Sequence, residues 1–438
     1  MDHSRTGIPK IVKTQRAYKV ALQPNDKQRT AFLRHAGAAR WAYNWGLSTW
    51  KRLYDERKAA VEVTGEKVGK VTDAMDLHRR LNALKRLSPD EGGIPWMYES
   101  SKCAPQEALR DLERAYRNTF QRLSEGKKGG FPRYKSKHTS RKSFRLTGVF
   151  TVEFNRIRLP VIGWVRLAER GYIPTDLPIK SVTVSEKAGR WFVSVLVEAE
   201  QSVGANQDGP VIGIDLGINA LATCSDGTIY ENPKALANQL GKIKRLSKRM
   251  ARQQKTSKRR GKTKLKLARA HARATNIRTD ALHKMTTEIV KTKRPSVIVV
   301  EDLNVRGMVK NRRLARSVSD AAFGEIRRQL GYKALLNGIK LVVADRFFPS
   351  TKRCSNCGVV KSEMGLGERL FECASCLFQT GRDLNASYNL RDYVSITASS
   401  AGRASAARGG DVRPVRTCPI GQTSLKREVD RKVVPHFT

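Results

Sequence analysis

Three carboxylates stand where an acid is costly to place. Asp215 interrupts the apolar run from Val211 to Gly217, and Glu301 ends the run from Val297 to Val300. A charge on a strand destined for the interior needs a ligand or partner to compensate it. Asp383 lies at the start of the last helical stretch, two residues before Asn385. Two strand-borne acids and one at a helix start can converge from distant parts of a chain. Carboxylates without His or Cys are hard oxygen donors, suited to Mg²⁺ or Mn²⁺. Two such ions about 4 Å apart activate a water and stabilise the leaving 3′ oxygen in phosphodiester hydrolysis. Taken singly, each acid also has an ordinary explanation: turn hydrogen bonds for Asp215, a solvated strand end for Glu301, a helix N-cap for Asp383. Three together in a strongly basic chain favour the metal site. Asp302 ranks lower because it points to the strand face opposite Glu301, and Asp345 has only its strand-end position in its favour. Gly213 and Gly217 leave room beside Asp215 for a ligand to approach the backbone.

The cysteines carry a second signal. Cys354 and Cys357 form one Cys-x-x-Cys pair and Cys373 and Cys376 another, with fifteen residues between the pairs. This is the spacing of a tetrahedral Zn²⁺ ribbon, and four thiolates close the site, so the zinc is structural. The ribbon lies just before Asp383, where it either braces the acid site or lies along a nucleic-acid strand. Cys103, Cys224 and Cys418 are scattered, a usage that points to a reducing compartment.

Lys and Arg number 84 against 40 Asp and Glu, a net charge of +44 over 438 residues. Such an excess calls for a polyanion, most simply a phosphate backbone. No apolar stretch approaches the ~18 residues of a membrane span, and residues 1–14 show no signal-peptide core.

The elements that must position these groups follow from local patterns. Residues 9–24 alternate as a strand, and Asn25 with Gln28 reads as a capping box that starts a long helix. The aromatics of that helix, Trp41 and Trp45 among them, have core spacing. Helical stretches follow at about 74–87 and 104–124. The basic-aromatic segment from Gly129 offers Arg133, Tyr134, Lys135, Lys137, Arg141 and Lys142 as nucleic-acid contacts. Short strands from 149 to 198 suggest a small β-barrel that takes in the first strand. Residues 235–290 read as a very basic helical hairpin with its tip at 255–262. A helix at about 320–337 and a strand at 340–344 precede the ribbon, and the tail from about 400 has the composition of a disordered segment.

These motifs, in this order, resemble the TnpB family encoded by prokaryotic insertion sequences, relatives of the compact type V CRISPR nucleases. The resemblance rests on residues 16–24 with the Trp41–Asn44 helix, Gly130–Lys135, Gly213–Gly217, Glu301–Met308, Asn311–Ser317, Phe348–Thr351 and Arg382–Ala386. It implies a multidomain α+β protein. A β-barrel wedge domain (1–24 and 127–205) would carry an inserted helical recognition domain (25–126). An RNase H-like (RuvC) α/β nuclease domain (206–345 and 378–400) would carry an inserted zinc ribbon (346–377), with a basic tail at 401–438. It further implies one protein per guide RNA transcribed from the element's end, Mg²⁺-dependent cleavage of double-stranded DNA beside a short motif, and a prokaryotic, cytoplasmic, nucleoid-associated setting. Asp215, Glu301 and Asp383 fall on the family's catalytic positions. Two departures stand out: Thr380-Gly381 precedes Arg382 where relatives often carry His-Asp, and Leu377 replaces the usual Gly after the last cysteine. Other readings stay open: a nuclease-inactive RNA-guided repressor, a compact CRISPR effector, and a transposase or DNA-binding zinc protein.

Overall fold

The computed structural model describes residues 10–65, 71–204, 206, 208–365 and 367–398. The tail and Cys418 lie outside the described residues. Residues 13–200 form one compact unit, and the described residues from 201 onward form another.

In the first unit, β1 (Lys10–Gln23) stops at Pro24, which has no N–H to donate to a ladder. The capping box forms as the sequence suggests. Asn25 Oδ1 accepts the Gln28 N–H at 2.8 Å and Gln28 Oε1 accepts the Asn25 N–H at 3.1 Å, opening α1 (Asp26–Thr64). Then come α2 (Ala74–Arg86), α3 (Cys103–Ser124), β2 (Ser143–Leu146), β3 (Thr151–Val152), β4 (Arg156–Leu159), β5 (Gly163–Leu167), β6 (Ile179–Lys187) and β7 (Arg190–Val203). The strands make one seven-stranded sheet, β2-β6-β7-β1-β5-β4-β3. The first strand does enter it, between β7 and β5. The sheet ends on β2 and β3, which share no ladder among the described residues. The pairing is that of an open sheet where the sequence suggests a barrel, and helices cover its face. Phe32 of α1 packs on Phe144 of β2 and Trp191 of β7, with ring centroids 6.1 and 5.0 Å apart. Helices and sheet therefore share a single core from Val20 to Val197. Between β6 and β7, Ala188 and Gly189 both take positive φ, 54° and 77°, the requirement of a two-residue hairpin turn that matches strand twist.

His35 is sealed in this core with no exposure. Its Nδ1 lies 2.8 Å from the Ala31 carbonyl, which makes it the donor, and its Nε2 accepts the Ser101 N–H at 3.0 Å. Both bonds need the neutral ring, and burial holds the pKa below the usual value, against a smaller opposing effect of the Ala31 carbonyl. The unfolded chain binds a proton near pH 6.5 that the folded chain refuses. This group's stability is thus present above that pH and lost as pH falls below it, by up to about 1.4 kcal/mol per pH unit. All six tryptophans lie in this unit. Urea titrations followed by tryptophan fluorescence should show that slope below pH 6.5, and His35→Gln should flatten it. An equal slope in both proteins would place the effect elsewhere.

The second unit opens with β8 (Val211–Asp215), β9 (Ala220–Cys224) and β10 (Ile229–Glu231), followed by α4 (Ala235–Ala251) and α5 (Lys258–Thr287). The basic hairpin is present, with a turn at residues 252–257 and Ser257 capping α5. Buried Asp320 pins its base, accepting the Leu236 N–H at 2.9 Å and the Arg278 guanidinium at 2.9 Å. Then follow β11 (Val297–Glu301), α6 (Val305–Met308), α7 (Ala315–Ala321), α8 (Phe323–Leu336), β12 (Lys340–Ala344), β13 (Leu370–Glu372), β14 (Gln379–Gly381) and α9 (Arg382–Arg391). The main sheet runs β10-β9-β8-β11-β12, with antiparallel β8–β9–β10 and parallel β8–β11–β12. No helix among the described residues is long and apolar enough to cross a membrane.

Candidate active site and metal centre

The parallel pairing of β8 and β11 puts Val300 beside Ile214, so Asp215 and Glu301 end neighbouring strands at the same edge of the sheet. Ligands of such sheets bind beyond the carboxyl ends of parallel strands. Asp383 arrives from the first turn of α9. Gly213 makes this approach possible. A Cβ there would lie 2.1 Å from the Ser387 carbonyl oxygen and 2.3 Å from the Arg391 nitrogen. The space beside the strand admits the backbone of α9, not a ligand as the sequence suggests.

Asp215 feels the other two carboxylates. Asp215 keeps some solvent contact, yet burial, then the charges of Glu301 and Asp383, push its pKa up to about 8. The Arg382 charge and the Leu216 N–H oppose this without cancelling it. The neighbouring acids have other partners. Asp302 is bound by Arg327 at 2.7 Å and Arg346 at 2.6 Å, and Asp345 accepts the Phe347 N–H at 2.8 Å. Sequence reasoning missed Ser350, whose hydroxyl donates to Glu301 Oε1. It also gave Asn389 no role, although the buried amide of this residue ties α9 to the loop that carries Ser350. Neither has a local signal, because a small polar residue in a loop or helix looks solvated until the fold buries it.

The four ribbon cysteines meet, with their sulfurs all within 4.8 Å of one another. Cys354 and Cys376 are 3.7 Å apart and Cys357 and Cys373 3.5 Å. A disulfide needs about 2.05 Å, whereas the edge of a tetrahedron with 2.3 Å zinc–sulfur bonds is about 3.8 Å. Backbone N–H groups point at these sulfurs. The Phe378 N–H and then the side-chain amide of Asn356 lower the Cys376 thiol to about 6. The residues present fit one zinc ion.

Leu377, just beyond, takes φ 59° and is 82 % exposed. An L-residue in this left-handed region costs about 1–2 kcal/mol, and its exposed side chain recovers little of that. Leu377→Gly is expected to stabilise the ribbon by about 1 kcal/mol, seen as slower zinc transfer to a chromophoric chelator. Faster transfer would show that the leucine side chain contributes more than its backbone costs.

The six basic-aromatic candidates divide. Arg133 and Lys137 are exposed. Tyr134 lies under the Lys51 ammonium at 5.0 Å. Lys135 rests 3.5 Å over the Tyr43 ring, and Asn44 clamps its backbone by accepting its N–H at 2.8 Å and donating to its carbonyl at 3.0 Å. Arg141 donates to Ser185 at 3.0 Å, and Lys142 pairs with Glu186 at 2.8 Å. Lys135, Arg141 and Lys142 line a cavity of about 450 Å³, together with Arg40, Arg145 and Glu107.

Residues 194–312 match the OrfB/IS605 family model, described as "Probable transposase", and residues 323–390 match a "Cas12f1-like, TNB domain". Residues 14–59 match a model described as "Helix-turn-helix domain", although here they form a strand and part of one long helix. A protein of Streptomyces pristinaespiralis carrying the name "Putative RNA-guided DNA endonuclease" is 35% identical, over 95% of this chain and 97% of its own. InsQ of Escherichia coli K12, with the same description, is 32% identical over 86% and 92%. Among solved structures, a Cas12f1–sgRNA–target DNA complex is similar at a TM-score of 0.44 and 14% identity, over 86% of this chain and 99% of that one. With more than 30% identity across nearly the full length of such relatives, the chain belongs to the OrfB/IS605 (TnpB) family.

Proposed function

We propose that this protein is an RNA-guided endonuclease that cuts double-stranded DNA beside a short target-adjacent motif, with Asp215, Glu301 and Asp383 holding two Mg²⁺ ions. Mn²⁺ suits the same donors. The observation that carries the proposal is geometric: Asp215 and Glu301 end neighbouring parallel strands, and the helix that carries Asp383 in its first turn packs directly against Gly213 of the first of them. Burial, then the charges of Glu301 and Asp383, pushes the Asp215 pKa up to about 8. Arg382 only partly offsets the negative charge of such a cluster, and hard divalent ions would balance the rest. A three-stranded antiparallel meander continued by two parallel strands supports the RNase H-like reading. So do relatives named as RNA-guided endonucleases over nearly the full chain.

Bound there, the ions supply an activated water and stabilisation of the leaving oxygen. The chain's own part is to hold the oxygens ready: β8 and β11 fix Asp215 and Glu301 side by side, and α9 delivers Asp383. Residues 1–24 and 127–205 serve as the wedge and 25–126 as the recognition helices, with Arg133, Tyr134, Lys135, Lys137, Arg141 and Lys142 toward nucleic acid. Residues 206–345 and 378–400 form the nuclease domain, and 346–377 the structural zinc ribbon. Base pairing with a guide RNA from the element's end reads sequence, while the charge of +44 neutralises backbone phosphates. One protein acts per RNA, in a prokaryotic cytoplasm.

The family model's description favours one second reading, a transposase. An acid triad can serve strand joining as well as hydrolysis, so the products decide. The protein is to be expressed with its native flanking DNA and the co-purifying RNA sequenced. One discrete RNA that ends in sequence beyond the gene, and that directs Mg²⁺-dependent cutting of a matched plasmid without joining, is the expected result. Joined products would install the transposase reading. Heterogeneous RNA and no guided cutting would end the proposal.

A further inference from the structure

A chain of buried polar groups runs from the cysteine centre to the acid site. Asn389, 1% exposed, donates to the carbonyls of Ser350 at 2.8 Å and Arg353 at 2.7 Å. Asn385, fully buried, donates to the Arg353 carbonyl at 2.7 Å and accepts the Ser355 N–H at 3.0 Å. Both asparagines sit on α9, the helix of Asp383. Arg353 and Ser355 flank the zinc-site residue Cys354. Ser350, 3% exposed, closes the circuit by donating its hydroxyl to Glu301. One short loop thus touches the cysteine centre, the helix of one acid and the carboxylate of another.

We propose that this loop couples the two centres, with Ser350 and Asn389 as positioning residues: the folded cysteine site sets the loop, and the loop orients Glu301 and Asp383 for metal. Groups that orient metal ligands from behind are worth about 10–100-fold in metal affinity. The Ser350 hydroxyl fixes one oxygen of Glu301 and so the plane of its carboxylate. Asn389 fixes the distance between loop and helix, since its amide spans both in a dry interface where a lost partner cannot be replaced by water. The inference rests on the reading that the acids hold divalent ions.

The test is Mn²⁺ binding to the full-length protein by electron paramagnetic resonance, alongside zinc content and cleavage. Ser350→Ala should keep one zinc per chain and bind Mn²⁺ about tenfold or more weakly. Ser350→Thr, which keeps the hydroxyl, should recover most of the affinity. Cys357→Ser, which opens the cysteine centre, should weaken Mn²⁺ binding although the residue touches no acid. Wild-type Mn²⁺ affinity in Ser350→Ala or in Cys357→Ser would overturn the coupling. So would a threonine variant as weak as alanine. Failure of the wild-type protein to bind Mn²⁺ at a site sensitive to Asp215→Asn would instead sink the underlying metal reading.

Discussion

Asp215→Asn is expected to lower guided DNA cleavage by roughly 10³-fold or more while leaving RNA and target binding within a few fold of wild type. The size follows from what the ligand holds: divalent ions contribute several kcal/mol of transition-state stabilisation, and about 4 kcal/mol is a factor of 10³. The selectivity follows from the protonation state. With its pKa pushed to about 8, the metal-free Asp215 already carries a proton at pH 7, so an amide of the same shape is a close mimic. The fold should therefore be kept, with an unchanged melting temperature. Target recognition runs through base pairing and backbone contacts that the substitution does not touch. The same carboxyl gives a pH dependence of definite sign. Proton and metal compete for its oxygens, so below pH 8 the Mg²⁺ concentration for half-maximal cutting should rise about tenfold per pH unit. Plasmid cleavage gels with Mg²⁺ titrations at several pH values measure both effects. Wild-type cutting by Asp215→Asn would remove this residue from the site.

What could be read in advance was whatever local spacing encodes. An acid inside Val-Ile-Gly-Ile and another after Val-Ile-Val-Val declare themselves because apolar strands rarely tolerate them. Cysteine spacing declares itself because a tetrahedral ion dictates it. Tertiary contacts leave no such trace. Gly213 looked like room for a ligand, and only the packing of α9 shows what fills that room. Strand β2 was hidden in a basic run: Phe144 and Leu146 are buried while Ser143 and Arg145 turn outward, a period of two masked by neighbouring charges. The core shared by helices and sheet rests on contacts such as Phe32 against Phe144 and Trp191, more than a hundred residues apart, which no window along the chain can register.

Cys373→Ser is expected to abolish zinc binding, unfold the ribbon and with it stop cleavage, while the unit of residues 13–200 melts as before. The ribbon has little else to hold it. Its sheet is two strands of three residues each, β13 and β14, and its buried apolar set is Phe371 with two of the cysteines themselves. A two-stranded hairpin is marginal in water, and zinc bound by small finger domains contributes an apparent ~10–16 kcal/mol at pH 7. Loss of one thiolate therefore removes most of the stabilisation available to this segment. The damage should extend to the acid site, because the Arg353 carbonyl, next to Cys354, accepts both Asn385 and Asn389 of α9. The two units provide an internal control. Tryptophan fluorescence follows only residues 13–200, whereas far-ultraviolet circular dichroism follows both units and zinc content the ribbon alone. A zinc-free variant with an unchanged dichroism melt and normal cutting would show that the ribbon folds without metal and that α9 keeps its place without the ribbon. An early dichroism transition with an unshifted fluorescence transition would locate the loss in the metal centre and the helix it holds.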